Sequence, residues 1–184
     1  MNKNDYFAYK GDRDYLHGTS VFDLLINEYI GPEQPEQIDF IFAKSTPCIC
    51  TVSKDKQPES TLVASYVDSN NRFFMYETHE RISNRVKYTE PEEGHTFEIH
   101  GSEASITTNS GYSFIEALTG AYKCLLTRLF PDIPKKFVLA RLILDYLPAT
   151  SCTIRYKRKI SDRFYEAVIY ENDTEIGHIY FGEK

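Results

Sequence analysis

Two aspartates, a tyrosine and a histidine crowd the stretch "YKGDRDYLHGTS" just ahead of an apolar periodic run. Asp14 has the chemistry of a general base or a nucleophile, with Asp12 as its alternate. His17 titrates near neutrality and can exchange a proton with a bound substrate. Tyr15 can donate a hydrogen bond or act as an acid. Gly18 and Thr19 follow, at the start of the run "SVFDLLINEYI".

These residues need elements to hold them. "YFAYKG" alternates and reads as a strand. The run that follows has apolar residues at Val21, Phe22, Leu24, Leu25, Tyr29 and Ile30, a helical spacing. Ser20 is expected to be its N-cap, with Asp23 three residues on. Gly31-Pro32 stops it. "IDFIFA", "CICTVS", "TLVASYV" and "RFFMYE" then read as strands between polar turns such as "KDKQP" and "DSNN".

The second half repeats this order. "TFEIHG" is a strand, and "SFIEALTGAYKCLLTRLF" is a long apolar helix with Ser113 as its expected N-cap and Glu116 three residues later. "PDIP" ends it, and four further strands follow. "FAYKG" lies over "FEIHG", "SVFDLL" over "SFIEAL", and Cys50 over Cys152. The repeat predicts two units, 1–78 and 95–184, joined by a polar linker at 79–94 with some helical content.

A strand, a long helix and four strands wrapped around that helix resemble the hot-dog fold, an α+β architecture. Two copies in one chain resemble a double hot-dog. A helix that is apolar around much of its circumference supports this, since such a helix must be covered. A split β-barrel of the flavin-binding type is the competing fold, but it does not predict two such units.

The resemblance implies an enzyme on acyl thioesters of coenzyme A or acyl carrier protein. The simplest is a thioesterase; the alternatives are a 3-hydroxyacyl dehydratase or hydratase of fatty-acid or polyketide biosynthesis, and a non-catalytic acyl-binding module. It implies no separate cofactor, because coenzyme A or phosphopantetheine arrives as part of the substrate. It is compatible with a homodimer. In such enzymes the thioester carbonyl sits at the N-terminus of the central helix, where backbone N–H groups and the helix dipole stabilise negative charge. That implies Gly18 and Thr19 in the first half, and Asn109 and Gly111 in the second. "DRDYLHGTS" faintly resembles the D-x-D-x-x-G-H-x-N loop of one thioesterase branch, with shorter spacing and no Asn. The second half offers Glu103 and Asn109 but no histidine in its loop. Asp14, Tyr15 and His17 are therefore the expected catalytic set.

Composition narrows the rest. A net charge of −6 argues against a nucleic-acid partner. "RYKRK" is a dense basic patch in this acidic chain, and Arg155, Lys157 and Arg158 would suit coenzyme A phosphates or the acidic face of a carrier protein. Cys48, Cys50, Cys124 and Cys152 lack zinc-ligand spacing and read as reduced, which with the absence of an apolar leader suggests a cytoplasmic protein with no metal. No run approaches the roughly 18 apolar residues of a membrane helix.

Overall fold

A computed structural model describes residues 6–32, 34–107, 111–132, 136–149 and 151–184. The chain divides into two compact units, Met1–Thr89 and Glu90–Lys184. Each is α+β with a mostly antiparallel sheet. No helix among the described residues is long and apolar enough to cross a membrane.

The first unit opens with β1 (Ala8–Lys10), followed by helix α1 (Gly18–Leu24). The helix continues as a π-helical stretch, Leu25–Ile30, and stops at Gly31, whose φ of +76° suits glycine. Strands β2 (Glu36–Phe42), β3 (Cys48–Ser53), β4 (Leu62–Val67) and β5 (Arg72–Arg81) form a sheet in the order β3-β5-β4-β2. The helix buries Val21, Phe22 and Leu24. The Phe22 ring lies 5.2 Å from Phe40 of β2 and 6.5 Å from Tyr66 of β4. Fully burying side chains of this size stabilises a fold by about 1.5–3 kcal/mol each.

Two expectations change here. The segment read as a linker with helical content extends β5 to Arg81 and then forms a short strand, β6 (Asn84–Val86). β6 pairs in parallel with β1, Ala8 opposite Asn84 and Lys10 opposite Val86. Ser20 is not the N-cap either. The helix begins at Gly18 with His17 as N-cap, and Ser20 is its third residue, buried within the first turn.

The second unit holds β7 (Phe97–His100), β8 (Glu103–Ile106), α2 (Phe114–Leu129), β9 (Phe137–Tyr146), β10 (Cys152–Ile160), β11 (Phe164–Glu171) and β12 (Thr174–Glu183). Their sheet order is β9-β12-β11-β10-β8-β7. β8 is an addition to the expected order; it folds back on β7 through the turn at Gly101, at φ +61°. α2 packs against β7, β8, β9 and β10. Ile115, Leu118, Tyr122, Leu125 and Leu126 form its fully buried stripe. Its outer side is strapped by the segment before β7: Lys123 pairs with Glu90 at 2.7 Å and Arg128 with Glu93 at 2.5 Å. Gly120 leaves room for Pro91, since a Cβ there would lie 2.8 Å from the proline.

The strand orders of the two units differ. In the second, β10-β11-β12 is a meander, each pair joined by a short turn. In the first, β4 and β5 form such a hairpin, but the polar segment 54–61 separates β3 from β4, and β3 pairs with β5 instead. The last two strands have exchanged places.

Candidate functional site

The loop between β1 and α1 is anchored by backbone bonds rather than by packing alone. The Gly11 amide donates to the Val86 carbonyl at 3.0 Å, and the Leu16 amide to the Thr46 carbonyl at 2.7 Å. Tyr9 Oη donates to the Pro47 carbonyl at 2.9 Å. Arg85 Nη1 donates to the carbonyls of Gly11 and Arg13, the latter at 2.9 Å. Gly11 itself stands at φ +60°, a conformation that glycine adopts without strain. Leu16 is buried, so the chain enters the helix from a fixed point.

Within this loop Tyr15 and His17 come together. Their rings stack at 5.6 Å with 21° between planes, and the edge of Tyr88 meets His17 at 5.9 Å. Asp14 and Asp12 are exposed. His17 has an extended backbone (φ −75°, ψ 140°), and its carbonyl accepts from the Val21 amide at 3.1 Å, closing the first turn. No side chain at the N-cap position bonds back to the first amides, and the first turn carries no acid. The helix start therefore presents backbone donors and a positive dipole end without an internal anion.

Gly18 and Thr19 lie at that start. A Cβ on Gly18 would meet the Phe42 ring at 3.1 Å, so the glycine allows the helix to approach β2. Thr19 is 7% exposed, and its Oγ1 is buried with no hydrogen-bond partner among the described residues.

The matching place in the second unit is closed. The Ser113 hydroxyl accepts from the Glu116 amide, while the Glu116 carboxylate accepts from the Ser113 amide. This capping box satisfies two amides and puts a negative charge on the dipole's positive end. Gly111 precedes it at φ +80°; Asn109 lies outside the described residues.

The basic cluster is distributed among carboxylates. Arg155 Nε donates to Glu103 at 2.6 Å, and its guanidinium lies 4.8 Å from the centre of the Tyr170 ring. Lys157 and Arg158 both reach Glu166, at 3.3 and 2.7 Å, because a bulge in β10 between Tyr156 and Arg158 turns both toward it. Lys159 pairs with Glu183 at 3.2 Å. Glu166 is 3% exposed. Burial pushes its carboxyl up, but bonds from Arg158 and Lys157 and their charges outweigh this and hold it below the usual carboxylate range. His178 sits between two carboxylates, Nδ1 3.1 Å from Glu166 and Nε2 3.1 Å from Glu175. His100 is exposed on β7.

Tyr88 and Arg85 are the residues that sequence reasoning missed at the first loop. Both lie in the stretch read as linker, and only the parallel β1–β6 pairing brings them there. Tyr88 also has Lys10 over its ring at 5.1 Å and Arg13 at 5.8 Å.

No family model matches the sequence, and no curated protein does. Solved structures similar to the chain include the dehydratase domain of RzxB from Pseudomonas fluorescens, with 13% identity over 95% of this chain and 92% of that one, at a TM-score of 0.44. The tesB protein of Mycobacterium avium subsp. paratuberculosis has 6% identity over 92% and 86%, at 0.47. A protein of unknown function with a hot-dog fold from Alicyclobacillus acidocaldarius has 8% identity over 100% and 98%, at 0.43. Each of these identities lies below 25% and each TM-score below 0.5, and no fold family and no residue of those proteins is matched to this chain.

Proposed function

We propose that the chain is an acyl-thioester-processing enzyme of the hot-dog type, built from two hot-dog units, and most simply a thioesterase on acyl-CoA or acyl carrier protein. One observation carries the choice of site: the start of α1 is uncapped and follows His17, whereas the start of α2 is filled by its own Glu116. The thioester oxygen would take hydrogen bonds from the first amides of α1, which are worth most where charge develops. Thr19, buried beside them, adds a hydroxyl. His17 takes a proton from water as the water oxygen bonds to the carbonyl carbon. It returns that proton to the sulfur as the carbon–sulfur bond breaks. Tyr15, stacked on His17, holds the plane of the ring. Asp14, in the same loop, is the second candidate base.

The test is hydrolysis of acyl-CoA substrates of graded length by the wild type and by His17→Ala, Asp14→Ala and the double variant. Loss of a general base costs about 10²–10⁴-fold in rate, so His17→Ala is expected to fall by at least 10²-fold with an unchanged circular-dichroism spectrum. Full activity in the double variant sinks the assignment. Conversion between 3-hydroxyacyl and 2-enoyl thioesters would move the reading to a dehydratase or hydratase. Thermal stabilisation by acyl-CoA without turnover would move it to a binding module.

A further inference from the structure

One cavity of about 320 Å³ in the second unit is lined by Arg155 and lies apart from the α1 site. Its floor is a single rung across three strands: Ser105 of β8 opposite Thr153 of β10, and Thr153 opposite Tyr170 of β11. The neighbours of these residues along the strands, Ala104, Ile106, Cys152, Ile154 and Ile169, are buried in the core. The cavity therefore opens on the sheet's other face. Glu103 and Arg155 form the next rung and one wall. The turn Asn172–Asp173, at φ +48° and +61°, forms another.

The lining is rich in donors. Arg155 gives its Nε–H to Glu103 and also interacts with Tyr170, while a guanidinium carries four further N–H bonds on its two amino nitrogens, more than these partners take up. Tyr170 under the guanidinium and Glu103 beside it hold the fork in place before any ligand arrives. The hydroxyls of Ser105 and Thr153 stand 3.4 Å apart, so one can donate to the other and leave a donor for a ligand. Ser151 and Asn172 add a hydroxyl and an amide. The two carboxylates act differently. The charge of Glu103 is balanced by Arg155, and that of Asp173 sits on an exposed turn where water weakens its field.

We propose that this cavity binds the phosphoryl group of a phosphate ester, with Arg155 as its anchor and the Ser105 and Thr153 hydroxyls as further donors. A fixed guanidinium fork matches phosphate geometry bidentately, and the volume leaves room for more than the phosphoryl group alone. The structure thereby separates Arg155 from Lys157 and Arg158, which are committed to Glu166. The site does not rest on the thioester reading, and its binding assay reads independently of turnover.

The experiment is calorimetric titration of the full chain at low salt with inorganic phosphate, adenosine 5′-monophosphate, coenzyme A and ribose. The two esters are expected to bind and ribose is not. Arg155→Gln is expected to weaken binding about tenfold or more, as loss of charge-assisted bonds does. Asp173→Asn is expected to tighten it severalfold, a gain that misfolding cannot produce. Saturation by inorganic phosphate at the same strength as the esters supports the phosphoryl chemistry and assigns the free ion as ligand. No heat with any phosphate-bearing probe, equal binding of ribose, or an Arg155→Gln variant that binds like the wild type would each overturn the proposal. Coenzyme A binding without hydrolysis of its acyl esters leaves this site standing and removes the thioesterase.

Discussion

The Ser113 hydroxyl accepts from the Glu116 amide at 3.3 Å, and the Glu116 carboxylate accepts from the Ser113 amide at the same distance. Nothing equivalent closes the start of α1, where His17 stands at the N-cap without a side-chain bond to the helix. Ser113→Ala is accordingly expected to lower stability by about 1 kcal/mol, measured by urea unfolding. Its turnover per folded molecule should match the wild type, because the chemistry is assigned to the other helix. A parallel loss of kcat would place function at α2.

Arg85 is a positioning residue for the first loop. It donates to the carbonyls of Gly11 and Arg13 and lies 5.2 Å from the Tyr9 ring centre. Arg85→Ala frees the loop that carries His17. A misplacement of about 1 Å can cost on the order of 10²-fold, so kcat should fall by tenfold or more while the melting temperature stays nearly unchanged. Arg85→Lys keeps the charge but not the two-carbonyl fork, and should rescue only part of the rate. Equal kcat in all three proteins would remove the role.

Glu166 makes the second unit acid-sensitive. Its carboxyl is held below the unfolded value, about 4.3, so its ion pairs stabilise the fold fully above that pH and are lost as pH falls through the lower folded value. Glu166→Gln is expected to cost about 2 kcal/mol at pH 7 and to flatten the stability curve below pH 4.5. A variant that keeps the wild-type acid limb would assign that limb to other groups.

The four thiols should react unequally. Burial pushes Cys50 and Cys152 up to about 12, in Cys50 with help from Glu77 and Cys48. Burial pushes the Cys124 thiol up too, but on α2 it is only half-buried and open to a reagent, while Cys48 is buried. A disulfide reagent at pH 8 should therefore label Cys124 first, leaving the other three protected until urea unfolds the chain. Mass spectrometry of the labelled peptide decides this, since thiolate is the reacting form.

Much of the fold is legible in the sequence because the strands alternate. Cys48 and Cys50 point inward as period two requires, and α2 follows its capping box and its 3.6-residue stripe. The misreadings have identifiable causes. β6 has all three side chains exposed, so it carries no hydrophobic period, and its partner β1 lies far away in sequence. "EASI" after Gly101 is too short a return strand to stand out from a loop. Ser20 resembles a cap, but Gly18-Thr19 extend the helix beneath it without any apolar signal. At the candidate site, the proximity of Tyr15 to His17 follows from the chain, while the Tyr88 contact follows from the β1–β6 pairing alone. The basic patch is visible as charge; its carboxylates are not, because only strand register sets Glu103 and Glu166 opposite it, and Glu183 reaches Lys159 from β12, one strand beyond β11.

The exchanged strands of the first unit have a kinetic consequence. The meander β10-β11-β12 closes through two short turns, so most of its pairings are local, whereas β3 must wait for the β4–β5 hairpin before it has a partner. Local contacts form early and long loop closures late. The meander β10-β11-β12 should therefore pair before β3 does. Pulse-labelling hydrogen exchange during refolding should protect the amides of β10 to β12 ahead of those in β3, and the reverse order would show that the hairpin alone does not set the pace.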